Sequence, residues 1–93
     1  MLFRSPKMKH ATVEDLIPIA GLLEKLRREK RIKERKSGIF YRRGKAFLHF
    51  HEDPRGLFAD LRGPEDWERL AVNDRRGQAL LLARMSQLLS HSS

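Results

Sequence analysis

The chain has 93 residues, with 20 Lys and Arg against 12 Asp and Glu, and a formal net charge of +8. That length bounds it to one domain with one thin core. The lack of Cys excludes disulfides, thiolate metal sites and cysteine nucleophiles, and is compatible with a reducing cytoplasm, the expected location.

No apolar run approaches the roughly 18–20 residues that span a bilayer, so no membrane partner is expected. The basic opening residues lack a following apolar segment, so no signal peptide is expected either. The positive charge is local: between Lys25 and Lys45, 11 basic residues stand against 2 acidic ones. Such a patch attracts phosphates and acidic surfaces, although a run of charge also serves simply as a solvated face.

Residues 1–11 lack periodicity and are interrupted by Pro6. They are expected to form a flexible leader in which His10 is exposed, with Met1 or Met8 as the start. Thr12 and Asp15 approximate a capping box. Leu16, Ile19, Ala20, Leu23 and Leu26 follow at helical intervals. Pro18 fits only if the helix proper starts near Asp15 or bends there. Ile32 falls off the apolar stripe, so the helix ends near Glu29–Arg31. Ile32 to Lys36 then becomes an extended approach or a short edge strand, with Lys and Arg deterring edge-to-edge pairing.

A meander comes next. Ile39–Arg42 is read as a strand, Arg43-Gly44 as a tight reversal, and Ala46–His51 as the return. Turn formers crowd Glu52 to Gly56, Leu57–Arg62 is the next strand, and Gly63-Pro64 ends it. Period-2 alternation puts Ala46, Leu48, Phe50, Leu57, Ala59 and Leu61 on the core face. Phe47, His49, His51, Phe58, Asp60 and Arg62 then take the reverse face. Trp67–Val72 is ambiguous. Pro64-Glu65-Asp66 looks like a first helical turn, yet the segment alternates, and a short turn after a strand favours another strand. Asn73-Asp74 caps a last helix with Leu81, Leu82, Met85, Leu88 and Leu89 in one stripe, and Gly77 weakens its first turn. Residues 90–93 are expected to fray, leaving 12–89 as the domain. The expected fold class is α+β: a two-layer sandwich of helix, three or four antiparallel strands in a meander, and helix, with both helices on one side.

The core GIFYRRGKAFLHFHEDPRGLFADLR resembles one that recurs in short uncharacterised bacterial proteins, a group that implies no activity. The element order and the Gly44-Lys45-Ala46-Phe47 hairpin entry are also similar to the MmcQ/YjbR-like proteins. That resemblance implies a CyaY-like α+β fold and, by the family's label, DNA binding.

Two sites suggest themselves on the residues. Lys30, Arg31, Lys33, Arg35, Lys36, Arg42 and Arg43 supply charge, and Phe47 and Phe58 with Arg62 supply a stacking surface. Together they point to a small non-catalytic module for nucleic acid or an acidic protein. On the same face His49 and His51, two apart on a strand, offer imidazoles, and Asp60 on the neighbouring strand offers a third ligand for a divalent metal, the one cofactor considered. The plain alternative pairs His49 with Asp60 and His51 with the Glu52-Asp53 turn. A further alternative covers Phe47 and Phe58 with a second copy of the chain in a homodimer. No serine nucleophile or phosphate-cradling glycine loop is present.

Overall fold

The computed structural model describes residues 9–90. In chain order the elements are β1 (Lys9–His10), a 3₁₀ turn (Ile17–Ile19), α1 (Ala20–Arg27), β2 (Lys33–Lys36), β3 (Ile39–Arg42), β4 (Lys45–Asp53), β5 (Gly56–Arg62), β6 (Trp67–Ala71) and α2 (Arg75–Ser90). The strands make one antiparallel sheet in the order β2-β3-β4-β5-β6, with β1 pairing β4. This is the expected α+β order of helix, strands and helix, with more strands than expected. None of its helices is long and apolar enough to cross a membrane. The tail beyond Ser90, including His91, and the leader up to Met8 lie outside the described residues.

Local chemistry sets the element boundaries. Thr12 and Asp15 form the reciprocal box: the Thr12 N–H donates to Asp15 Oδ2 at 2.9 Å and the Asp15 N–H to Thr12 Oγ1 at 3.2 Å. Pro18 sits inside the 3₁₀ turn, where its missing N–H breaks no α-helical bond, and the regular helix starts only at Ala20. Both residues of the Arg43-Gly44 reversal have positive φ, 54° and 82°. That is the two-residue turn whose twist matches the flanking strands. Asp74 caps α2 by accepting the Gly77 N–H at 2.8 Å. Its expected co-cap, Asn73, instead accepts the Leu57 N–H at 2.8 Å and ties the helix approach to β5. Gly77 is a close-approach residue: a Cβ there would lie 2.1 Å from the Ala71 carbonyl oxygen.

Leu22, Leu23 and Leu26 of α1 and Leu81, Met85 and Leu89 of α2 share one buried cluster with Phe40, Leu48, Phe50, Leu57, Ala59 and Leu61 of the sheet. A shallow cleft lined from both helices, by Leu22 and Lys25 on one and Ala79 and Leu82 on the other, places them side by side on one sheet face. The sandwich is therefore two layers deep, and the opposite sheet face is open. Arg84 of α2 grips Glu68 of β6 with two bonds of 2.6 and 2.7 Å, fixing the second helix to the sheet edge.

Two expectations change. Phe47 is only 2% exposed and belongs to the core. Pairing runs from Phe40↔Leu48 to Tyr41↔Ala46, so Phe47 has no partner on β3. An extra residue of this kind is a bulge, which breaks the alternation. Phe47 joins Leu48 inside, and Ala46 is left half-buried. The expected Phe47/Phe58 surface, for stacking or for a dimer, therefore does not exist as a pair. Residues 9–11, expected within the flexible leader, instead join the sheet. Lys9 and His10 pair with Glu52 and His51, and the Ala11 N–H donates to the Phe50 carbonyl at 3.1 Å. Because β5 occupies the other edge of β4 at those residues, β1 fills the row that β3 leaves vacant.

Candidate functional site

The open face carries, strand by strand, the side chains that alternate with the core. On β4 these are His49 and His51, on β5 Phe58, Asp60 and Arg62, and on β6 Trp67, Arg69 and Ala71. Cross-strand pairing sets His49 opposite Asp60, Asp60 opposite Arg69, and Arg62 opposite Trp67. β1 delivers His10 directly opposite His51.

Three imidazoles meet here. Donor nitrogens of His10, His49 and His51 all lie within 4.8 Å of one another. The His10 ring stacks on His51 with centroids 4.7 Å apart, and His49 meets His51 edge-on at 4.6 Å. His51 Nε2 is 2.7 Å from His49 Nδ1 and 3.3 Å from Asp60 Oδ2. Trp67 closes one side, its ring 4.8 Å from that of His49. Asp60 is the one buried charged residue among those described. Arg69 binds both of its oxygens, Nε to Oδ1 at 2.7 Å and Nη2 to Oδ2 at 2.9 Å.

The electrostatics follow from this packing. Burial lowers the pKa of His49, and the neighbouring His51 lowers it further. Burial likewise lowers that of His51, against the pull of Asp60. Both rings are therefore neutral near pH 7 and keep a lone pair for a ligand. Burial is the largest single influence on Asp60 and would raise it, but the Arg69 hydrogen bonds and charge, joined by His51 and His49, together outweigh it and hold the carboxyl below its ordinary range. Nε2 of His51 faces Asp60 and His49, and its other ring nitrogen is Nδ1. That atom is buried and makes no hydrogen bond.

His49, His51 and Asp60 thus converge as the sequence suggested, and His10 joins them. The plain alternative is altered: it is His51, one step along the strand from Asp60's direct partner His49, whose nitrogen approaches the carboxylate. The basic residues scatter by comparison. Arg31 is held by Glu29 through bonds of 2.9 and 3.0 Å, which also pull the Glu29 pKa down to about 2. Lys30 is exposed beyond α1, and Lys33, Arg35 and Lys36 are exposed on β2. Arg42 lies 5.5 Å over the Phe47 ring, with its pKa lowered first by burial and then by Arg43 and Arg31. Arg62 covers Trp67 at 4.5 Å and donates to the Ala46 carbonyl at 2.6 Å.

Three residues of this face were not singled out from the sequence. Trp67 and Arg69 had a signal, since the alternation of Trp67–Val72 already set Trp67 and Ala71 against Leu70 and Val72. His10 had none, because a two-residue strand carries no period. Comparison of the chain with family models, with curated proteins and with solved structures finds no match.

Proposed function

We propose that the protein binds a divalent transition-metal ion through His10, His49 and His51. The observation that carries this reading is the meeting of three imidazole donors within 4.8 Å, delivered by two separate strands. Imidazole donors suit Zn²⁺, Ni²⁺ or Cu²⁺. Three protein ligands leave a further position for water or a small ligand.

In this reading Asp60 is a positioning residue and not the third ligand. Both its oxygens are engaged by Arg69, and its Oδ2 lies 3.3 Å from Nε2 of His51, where it holds that ring in place. A ligating histidine whose other ring nitrogen meets a carboxylate is the usual outer-shell arrangement. The lowered pKa values of His49 and His51 remove proton competition at those two rings near pH 7.

Calorimetric titration with Zn²⁺ and with Ni²⁺ tests it. The expected result is one ion per chain with micromolar affinity or tighter. His10→Ala and His49→Ala should each weaken binding at least tenfold, and Asp60→Asn about 10–100-fold. Affinity in His10→Ala equal to that of the unaltered chain would overturn the three-histidine site.

A further inference from the structure

A different observation on the same face carries a second ligand, one that does not depend on the metal. Three aromatic side chains of the open face each lie under a guanidinium: Tyr41 under Arg35 at 5.7 Å, Phe58 under Arg55 at 5.2 Å, and Trp67 under Arg62 at 4.5 Å. Phe58 and Trp67 belong to the open face by alternation. Tyr41 belongs to it because its neighbour Phe40 is fully buried in the core. Trp67 is 38% exposed, large for an indole on a sheet.

The net charge on this face is positive. Its two carboxylates on β4 and β5, Asp53 and Asp60, are each bonded by an arginine, Arg55 and Arg69 respectively. The β2 edge beside Tyr41 adds Lys33 opposite it in register, with Arg35 and Lys36 exposed. A second copy of the chain is a poor occupant, since a two-fold through this face would bring two net-positive surfaces together. A membrane is a poor occupant too, because the exposed residues on the face are not an apolar stripe.

We infer that the open face binds single-stranded nucleic acid. Bases stack on Tyr41, Trp67 and Phe58, and phosphates pair with Arg35, Arg62 and Lys33. Aromatic rings and guanidinium planes both accept an unpaired base on their flat surfaces, and this requires bases free of a duplex. The platform differs from the one expected from the sequence: the bulge removes Phe47, while Tyr41 and Trp67 take its place.

Fluorescence anisotropy with labelled single-stranded oligonucleotides, DNA in one arm and RNA in the other, tests the inference. EDTA is present throughout, so failure of the metal site and failure of this one are read separately. Binding is expected at about 50 mM salt and should weaken steeply as salt rises. Lys33→Gln with Arg35→Gln should flatten the slope of log affinity against log salt by about 0.7 per lost contact. Trp67→Leu should weaken binding roughly tenfold with the slope unchanged. Circular dichroism checks that each variant folds. If Trp67→Leu does not, Tyr41→Leu and quenching of the native Trp67 emission on titration carry the stacking test. Tighter binding in either arm supports the inference and identifies RNA or DNA as the source of the strand. Absence of binding at low salt overturns it. So does equal affinity for single strand, duplex and heparin with no effect of the stacking variants, the signature of a polyanion sink.

Discussion

On the helix side of β4 and β5, Leu48, Phe50, Leu57, Ala59 and Leu61 fill the core with apolar volume. At alternate positions on the other side of the same two strands stand His49, His51, Phe58, Asp60 and Arg62. The first side is held together by close packing, where every methylene counts. The second is held by directed contacts: a carboxylate bonded twice by Arg69, an imidazole beside it, and rings under guanidinium groups. Burying a carboxylate and its partners brings little stability beyond what apolar side chains of similar volume supply.

The sharpest test of the contrast compares two phenylalanines that simple alternation puts on one face. Phe47→Ala, which empties a core position, should cost about 3–5 kcal/mol in urea unfolding. Phe58→Ala on the open face should cost about 1 kcal/mol, for lost area and its arginine contact. Equal costs would mean that the bulge does not turn Phe47 inward. Gly77→Ala comes next. Helix propensity alone predicts a gain of about 1 kcal/mol, but the new methyl group meets the Ala71 carbonyl oxygen. The expected outcome is a loss of about 1–3 kcal/mol, and a rise in thermal stability would refute the close approach of α2 to β6.

Acidification probes the open face. The pKa values of His49 and His51 are lowered by burial, so the folded chain holds fewer protons on them than the unfolded chain. Their contribution is fully present above the ordinary histidine value of about 6.5 and is lost as pH falls toward the lowered values. The melting temperature should drop by a few degrees between about pH 7.5 and pH 5.5. The lowered Asp60 value acts in a separate, more acidic window. A flat profile from 7.5 to 5.5 would mean the rings are not held neutral by their surroundings. Smallest of all, Lys33→Gln on the β2 edge should change unfolding free energy by less than about 0.5 kcal/mol, which separates its charge from any structural role.

How legible each face was follows from the range of the forces that build it. The turns and the β5 faces were readable, since Arg43-Gly44 and the row Leu57, Ala59 and Leu61 are local signals. Pro18 was expected inside a helix that starts near Asp15 or bends there, whereas it sits in a 3₁₀ turn and the regular helix starts only at Ala20. Phe47 was misplaced because alternation assumes an unbroken register, whereas the bulge depends on how β3 and β4 pair. His10 was missed because its position is set by a strand nearly forty residues away in sequence. The pairing of Asp60 with Arg69 was not foreseen, although both lie at alternating positions on adjacent strands.

The two-residue strand at Lys9–His10 has one more consequence. It is joined to the sheet by its short pairing with β4 and by Lys9, which reaches Asp15 and Glu52, so little of its own cohesion holds it. The chain has no Cys with which to fasten that end. Under the proposed metal reading, an ion shared between His10 and His49 would close a loop of about 40 residues, a crosslink that restricts the unfolded chain much as a disulfide does. Unlike a disulfide, this fastening opens with acid or a chelator. The Ala11 amide, bonded to the Phe50 carbonyl beside it, is the group whose hydrogen exchange should slow most when the ion is bound.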